Sequence, residues 1–252
     1  MISTILQHRT IRKYKTDPVP DDILLKIIEA GTRASTTGNM QVYSIIITKD
    51  QDIKKKLWIA HFKQDMVITA PVIITFCADF NRFNKWCRNR NAEPGYNNFL
   101  SFYTASIDAL LAAQNIAVAA EDFKLGICYL GTTTYMASDI IEILNIPKDV
   151  VPVTSLVLGY PDEYPELTDR LPLNGVVHEE VYHDYSPGDI DRIYRFKESL
   201  EETAKLIELN KTENLAQIFT NMRYTKKDNV FFSQQYLKVI HNQGFMNNEM
   251  PF

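Results

Sequence analysis

The sequence is poor in glycine and has no glycine-rich phosphate-binding motif. Glycine accounts for 9 of the 252 residues, and no G-x-G-x-x-G segment occurs. In the Rossmann fold that motif forms the turn on which the pyrophosphate of a dinucleotide rests. Its absence excludes a Rossmann domain that would hold a dinucleotide permanently.

Cysteine and histidine are also sparse and lack the spacings of a metal site or a disulfide framework. The three cysteines, Cys77, Cys87 and Cys128, form no C-x-x-C pair, and the five histidines show no H-x-H or H-E-x-x-H spacing. We therefore expect reduced thiols and no bound metal. Arg9 and Arg12 lie where a signal peptide needs an apolar run, so a cytoplasmic protein is expected.

An excess of positive charge is missing too. The chain has 27 Lys and Arg residues against 31 Asp and Glu residues, and its formal net charge is −4. Domains that bind nucleic acids usually carry a basic face, so no nucleic-acid partner is indicated. The hydrophobic content of 45% is sufficient for a full globular core.

One long segment, 98–123, contains neither proline nor glycine and is rich in alanine and leucine. It predicts a helix of about 26 residues, or roughly 39 Å. Apolar residues surround most of it, which is typical of a helix buried on all sides. Asp108 and Gln114 argue against a membrane span, because such groups are costly in lipid. Small residues at helical spacing, among them Ala105 and Ala109, would let another backbone approach closely.

Other periodic segments predict the remaining framework. β-Branched and apolar runs indicate strands at 42–50, 71–80, 151–160 and in the I-C-Y-L-G segment that begins at residue 127. Helical patterns occur at 21–31, 51–62, 135–147, 189–208 and about 213–222, whereas 32–41 and 63–71 are predicted to be loops. We expect a single domain, 1–252, with a core of about 1–180 and a helical C-terminal excursion of about 181–252.

Two polar segments are candidates for a binding site. His8, Arg9, Arg12 and Lys13 lie within six residues. If this end is helical, the two arginines converge and their guanidinium forks suit a phosphate; the alternative is a solvated basic helix end. The loop at 32–41 holds small polar and amide side chains, which suit either a polar heterocycle or a plain connection.

Several motifs occur in a distinctive order along the chain. H-R-T-I-R-K-Y lies near the start, a small-polar loop ends in Gln41, and Y-L-G follows the long helix. F-C-A-D-F-N-R occupies 76–82, and R-L-P occupies 170–172. Together these motifs resemble the nitroreductase family of flavin enzymes, and most closely its oxygen-insensitive NADPH nitroreductases and NADPH–FMN reductases. The resemblance extends to the final Y-L-K-V-I-H-N-Q-G-F segment.

The resemblance implies FMN as the cofactor and assigns residues to it. The implied contacts are His8, Arg9, Thr10 and Arg12 on the phosphate and ribityl chain; Gln64 on the ribityl chain or ring edge; Ser35, Thr36, Asn39 and Gln41 on the ring, from the other subunit; Tyr129, Leu130 and Gly131 over the ring; and Arg170 as a further phosphate ligand. No catalytic acid or base is implied, because the flavin carries the hydride chemistry. The chain departs from its relatives at Thr168, where they often have lysine, and at Thr132, where they often have glycine.

The resemblance also implies a fold, an assembly and a reaction. The expected fold is α+β, with a mixed, mostly antiparallel sheet wrapped by helices, in a homodimer without a membrane partner. Hydride would pass from NADPH or NADH to a nitroaromatic, quinone or flavin acceptor by a ping-pong mechanism. The alternatives are another flavin reductase on this fold, such as a dehalogenase or an enoate reductase, and a non-catalytic protein that binds a phosphorylated ligand. The physiological acceptor and the strength of the preference for NADPH stay open.

Overall fold

The computed structural model describes residues 2–247, which divide into two compact units. The first unit comprises the chain up to Glu166 together with the chain from Phe232 onward, and the second unit comprises Leu167–Phe231. The last described residues therefore belong to the first unit. The assignment of one FMN-binding domain stays a prediction.

Eleven α-helices occur in the described part of the chain. They are α1 (Ile2–Leu6), α2 (Asp21–Thr32), α3 (Gln51–Ala60), α4 (Asp65–Thr69), α5 (Asn81–Arg88), α6 (Phe99–Asp122), α7 (Ala137–Ile143), α8 (Pro187–Ser199), α9 (Glu201–Asn210), α10 (Leu215–Ile218) and α11 (Lys226–Asn242). None of these described helices is both long enough and apolar enough to cross a membrane.

Four strands occur in the described residues, and they form one sheet in the first unit. They are β1 (Tyr43–Thr48), β2 (Val72–Asp79), β3 (Gly126–Leu130) and β4 (Val150–Gly159), in the spatial order β1-β2-β4-β3. All three strand pairs are antiparallel, and a single parallel bridge joins Thr10 to Ile127 at the free edge of β3. Every residue of β2 is buried, as expected of a central strand. The α+β fold class predicted from the resemblance is confirmed.

Helix α6 packs its small residues against the sheet and against α2. Asn98 caps its first turn by accepting a hydrogen bond from the Ser101 backbone N–H. Ala109 and Ala112 are fully buried. A Cβ atom added at Gly31 of α2 would lie 2.3 Å from Ile116 Cγ1, so only glycine permits this approach of the two helices. The predicted role of small residues in close backbone packing is thus confirmed.

The opposite face of α6 is apolar but exposed, so the prediction that the helix is buried on all sides is wrong for the single chain. The exposed residues, here called the α6 stripe, are Leu100, Tyr103, Ile107, Leu110 and Leu111. Leu100 has 70% of its surface accessible and Leu110 has 47%. The sheet and α2 cover only one side of the helix, and composition does not show which sides of a helix have a neighbour.

Two further segments differ from their predictions. The loop predicted at 63–71 contains the five-residue helix α4. The helix predicted at 189–208 is two helices, because Leu200 has extended backbone angles (φ −67°, ψ 140°). The Thr203 hydroxyl donates to the Lys197 carbonyl across this break at 2.8 Å, which replaces part of the lost helical bonding.

All three cysteines are free and buried. Burial raises the pKa of Cys77, and the nearby Asp79 raises it further. Burial also raises the pKa of Cys128 on β3, while the Arg12 guanidinium acts in the opposite direction. The thiols of Cys77 and Cys128 are therefore held in their protonated form.

Candidate functional site

The basic N-terminal segment is extended and lies along the free edge of β3. The Ile11 backbone N–H donates to the Ile127 carbonyl at 2.9 Å. Gly126 allows this contact, since a Cβ atom there would lie 2.6 Å from Ile11 Cγ1. Residues three apart in an extended strand point to opposite sides. The predicted helical convergence of Arg9 and Arg12 is therefore wrong, although both residues remain beside β3.

The two arginines differ in how fully their side chains are bonded. Arg9 Nε donates to the Pro165 carbonyl at 2.8 Å, and its guanidinium lies 4.4 Å from the centre of the Tyr164 ring. Arg9 also lines a cavity of about 430 Å³ in the first unit. The guanidinium of Arg12 makes no hydrogen bond to the described residues, although its backbone N–H donates to Glu163 Oε1 at 2.6 Å. Arg12 is thus a cation available to an anion.

His8 connects this segment to the C-terminal turn of α6. Its Nδ1 atom lies 2.6 Å from Glu121 Oε1, and the Glu121 side chain is 13% exposed. Glu121 also acts on Tyr129 of β3: burial raises the pKa of the Tyr129 phenol, and the Glu121 carboxylate raises it further. Tyr129 is therefore neutral.

A polar turn follows β3. Residues Gly131–Thr133 form one turn of 3₁₀-helix, and the Thr133 hydroxyl donates to the Leu130 carbonyl at 2.8 Å. Leu130 is buried, whereas Gly131 is exposed, and a Cβ atom added at Gly131 would meet nothing within 4 Å. The backbone at Gly131 therefore borders open space that a ligand can fill.

Three side chains meet behind this turn. Gln64 Nε2 donates to the His61 carbonyl at 3.0 Å and to Thr132 Oγ1 at 3.2 Å. His61 Nδ1 lies 2.7 Å from the same hydroxyl oxygen. His61 is fully buried, and burial lowers its pKa from 6.5 to about 4, so its ring is neutral at physiological pH.

The small-polar loop lies at the other edge of the sheet. It precedes β1, which is separated from β3 by two strands. The Asp108 carboxylate fixes the loop by accepting from the Thr37 N–H at 2.9 Å and from the Thr37 hydroxyl at 3.2 Å. Asn39 and Gln41 have positive φ angles of 56° and 53°, and Gln41 Nε2 donates to Asn39 Oδ1 at 3.0 Å.

Within one chain the predicted site residues therefore form separate groups. The described residues include no hydrogen bond between Ser35, Thr36, Asn39 or Gln41 and the turn at Gly131. Arg170 belongs to the second unit, where its Nη1 donates to the carbonyls of Thr168 at 3.2 Å and Asp169 at 2.9 Å. The residues along β3 form one continuous group, from His8 to Arg12 at its start and from Tyr129 to Thr132 with Gln64 at its end.

The family model "Nitroreductase family" matches residues 5–64 and 58–160, which is more than half of the chain. The chain belongs to the nitroreductase family. The candidate residues along β3 fall within the matched segments, whereas Arg170 does not.

Two relatives extend the nitroreductase match over most of the chain. The NADPH-flavin oxidoreductase of Vibrio harveyi is 31% identical over 213 residues, which cover 84% of each protein. A solved structure of a candidate oxidoreductase from Bacteroides fragilis is 52% identical, covers 97% of this chain and 100% of its own, and has a TM-score of 0.96.

A third comparison is with a nitroreductase-fold protein that was solved with a ligand. The structure of NADPH:FMN oxidoreductase from V. harveyi in complex with NAD⁺ is 27% identical to this chain and has a TM-score of 0.81. It covers 98% of this chain and 99% of its own. The first and second units together therefore have counterparts in relatives of nearly equal length.

Sequence reasoning missed three residues that contact the candidate site residues. Asp108 was visible as the one charge within the apolar part of the long helix, but its role in fixing the 32–41 loop depends on the fold. His61 carries no motif, and it meets Thr132 across 71 residues of sequence. Glu163, which accepts from the backbone N–H groups of Arg12 and Lys13, lies 151 and 150 residues from them in sequence.

Proposed function

We propose that this protein is an FMN-dependent oxidoreductase that transfers hydride from NAD(P)H to nitroaromatic, quinone or flavin acceptors. The family membership and the NADPH-dependent relatives support the coarser statement that it is an NAD(P)H-dependent flavin oxidoreductase. FMN, the acceptors and the order of the steps form the proposal.

The observation that carries the proposal is the arrangement of groups along β3. The basic segment joins the strand at Ile127, and the polar turn begins at Gly131. Four residues of strand span about 13 Å. A basic segment with an unbonded guanidinium thus lies beside β3, and amide and hydroxyl groups lie at the turn after it. A flavin mononucleotide requires both, a cation for its phosphate and polar groups for its ring edge.

The chemistry of these residues fits FMN. A phosphate dianion requires cations, and Arg12 has no other bonding partner for its guanidinium among the described residues. The flat ring requires room for close approach of a backbone, which Gly131 offers. When bound, the flavin would supply the hydride chemistry. The protein would bind it, orient it and hold its polar edge.

A ping-pong order of steps fits a chain without a separate dinucleotide-binding motif. Without G-x-G-x-x-G, the chain has no Rossmann turn to retain a nicotinamide cofactor. Donor and acceptor would then occupy one site in turn. Flat electron-poor acceptors such as nitroaromatics, quinones and free flavin suit such a site.

We further propose that the site is completed in a homodimer. The α6 stripe is a row of exposed apolar side chains on the longest helix of the described chain, and water-exposed rows of this kind typically mark interfaces. Asp108 on the same helix fixes the loop that carries Ser35 and Asn39. That loop lies across the sheet from Gly131 in its own chain, so a partner subunit is the natural source of these residues for each flavin.

The deciding experiment is spectroscopic and kinetic. The purified protein is expected to be yellow, with a flavin absorption band, and to release FMN when denatured. NADPH should bleach that band without an acceptor, and addition of a quinone or nitroaromatic should restore it. A colourless protein that binds no FMN at micromolar concentration would contradict the proposal, and release of FAD would contradict the FMN assignment alone.

A further inference from the structure

The Gln64 carboxamide has an orientation that chemistry fixes. A backbone carbonyl only accepts hydrogen bonds, so the Gln64 atom 3.0 Å from the His61 carbonyl must be the amide nitrogen. The second amide hydrogen is directed at Thr132 Oγ1 at 3.2 Å. Both donors of Gln64 are therefore used inside the protein, and its Oε1 accepts no hydrogen bond from the described residues.

His61 continues this chain of hydrogen bonds. Thr132 Oγ1 accepts from Gln64, and its O–H can donate to Nδ1 of the neutral His61 ring, 2.7 Å away. The ring has no surface exposure, so it cannot rotate out to water. Its Nε2 atom is buried without a partner among the described residues. Such orphan groups are uncommon and are often tied to a functional constraint.

The backbone before Gln64 is also constrained. Phe62 and Lys63 both have φ angles of 56°, in the left-handed region that bulky residues rarely adopt. This turn directs the His61 carbonyl at both the backbone N–H of Gln64, at 3.3 Å, and its side-chain amide. Strain of this kind persists where surrounding contacts over-determine the backbone.

We propose that His61 and Thr132 are positioning residues that hold the Gln64 oxygen outward, so that Gln64 offers the bound flavin only a hydrogen-bond acceptor. This inference rests on the proposed function. The partner on the cofactor is then a donor, either the ring N3–H or a hydroxyl of the ribityl chain. The carbonyl oxygens and bare nitrogens of the oxidised ring are excluded as partners of Gln64, because two acceptors facing each other repel.

The test compares FMN with analogues that each lack one donor. Apoprotein is titrated with FMN, with 3-methyl-FMN and with FMN in which single ribityl hydroxyls are replaced by hydrogen. The native protein is expected to bind one of these analogues at least about 5-fold more weakly than FMN, since a buried acceptor would lose its partner. The analogue that binds more weakly lacks the donor that Gln64 uses, and so identifies that donor as the ring N3–H or a ribityl hydroxyl.

Variants then separate the acceptor from the residues that position it. Gln64→Met keeps the shape but removes the acceptor, so the discrimination should vanish. Thr132→Val frees one amide hydrogen and should reduce the discrimination about 2- to 10-fold, the effect of one neutral hydrogen bond, whereas Thr132→Ser should restore it. Thr134→Val, two residues on in the same turn, is the matched control and should behave as native.

The outcomes are distinct. Equal discrimination by the native protein and Gln64→Met would overturn the acceptor role. If Thr132→Val discriminates between FMN and the analogue as strongly as the native protein does, the positioning role of Thr132 would be overturned. A native apoprotein that binds none of these flavins would instead contradict the proposed function.

Discussion

At the scale of single residues, the N-terminal arginines differ in what a ligand would have to displace. Arg9 already bonds to the Pro165 carbonyl and packs on Tyr164, whereas the Arg12 guanidinium has no partner among the described residues. A phosphate would meet Arg12 without breaking a contact in the protein. The motif H-R-T-I-R-K-Y identified both residues, but only the structure distinguishes them.

Arg12→Ala is expected to weaken FMN binding while leaving the fold unchanged. Loss of a charge-assisted contact to phosphate should cost about 1.5–3 kcal/mol, or roughly 10- to 150-fold in Kd. Flavin titration of the apoprotein measures it. The FMN affinity of Arg12→Lys should lie between those of the native protein and Arg12→Ala, because lysine keeps the charge but lacks the planar guanidinium fork.

Lys13→Ala is the control for charge alone, since Lys13 is an adjacent exposed cation. If Lys13→Ala and Arg12→Ala lose the same FMN affinity, the effect is a general one of positive charge and not a direct contact between Arg12 and the phosphate. Native affinity in Arg12→Ala would contradict its assignment.

His61 should make the stability of the protein depend on pH. Its pKa is about 4 in the folded protein against 6.5 for an unperturbed histidine. Between those values the unfolded chain binds more protons, so stability falls as pH falls from about 6.5 towards 4. The loss should approach about 3 kcal/mol. Urea unfolding across this range is the measurement.

Substitution of His61 isolates this contribution from those of other titrating groups. The His61→Asn variant keeps a polar atom near Thr132 but does not titrate in this range. Its unfolding free energy should change less between pH 6.5 and 4 than that of the native protein. Parallel curves for the two proteins would show that His61 is not a buried neutral histidine.

At the scale of helices and strands, the sequence predicted the regular core well and the short or broken elements poorly. Helix α6 and strand β2 each begin and end within one residue of their predicted bounds, because their apolar periodicity and flanking residues are strong signals. Helix α4 has only five residues, and neither proline nor glycine marks the break at Leu200. Local sequence patterns therefore predict neither the short helix α4 nor the break at Leu200.

Gly31→Ala is expected to loosen the packing of α2 on α6. The new Cβ atom would lie 2.3 Å from Ile116 Cγ1 and 3.2 Å from the Ala112 carbonyl oxygen, so the helices must separate. Overpacking of this kind typically costs about 1–3 kcal/mol and exceeds the gain in helix propensity. Thermal unfolding should show a lower Tm.

Gly188→Ala in α8 is the matched control, because a Cβ atom there meets nothing closer than 3.9 Å. It should leave the Tm unchanged or raise it. If the Gly31→Ala protein is as stable as the native one, α2 can move away from α6 without loss of stability.

At the scale of the whole molecule, the candidate site was predictable in its members but not in its grouping. Motifs identified Gln64, Gly131 and Asn39, yet the sequence could not show that Asn39 lies across the sheet from Gly131. Nor could it show that His61 and Thr132 meet. Contacts between residues that are distant in sequence depend on the strand order, which composition and periodicity leave undetermined.

Leu110→Glu on the α6 stripe is expected to give a monomer that loses its flavin. A charge in the middle of an apolar interface is costly to bury, and the separated chain would lack the partner's 32–41 loop. Sedimentation equilibrium and the flavin-to-protein ratio are the two measurements. The native protein should sediment at twice the chain mass of 29.0 kDa.

Leu25→Glu places the same charge at an exposed leucine of α2 and serves as its control. It should leave both assembly and flavin content unchanged. A native protein that stays monomeric at micromolar concentration and keeps its FMN would rule out a shared site.

The preference for NADPH over NADH should be modest and sensitive to salt. The second unit carries Lys211 and Arg223, but Arg223 is the single arginine between 210 and 227. Its guanidinium lies 5.8 Å from the centre of the Phe219 ring. One exposed cation should favour NADPH about 5- to 30-fold in kcat/KM. Exposed contacts are screened over about 8 Å at physiological ionic strength, so the preference should shrink in high salt.

Stopped-flow reduction of the bound flavin by each donor measures this preference. Arg223→Ala should reduce it, and Arg195→Ala, which removes an exposed arginine of α8, should not. Equal rates with NADH and NADPH at low salt would show that these cations do not reach the donor.

The burial of Cys128 protects its thiol from alkylation by a quinone substrate. Quinones alkylate thiolates as well as accepting hydride, and β3 carries this cysteine along the candidate site. The side chain is 3% exposed, and burial raises its pKa, so the reactive thiolate is scarce. An enzyme that reduces quinones would therefore resist inactivation by its own substrate, and its intact mass should stay constant through many turnovers.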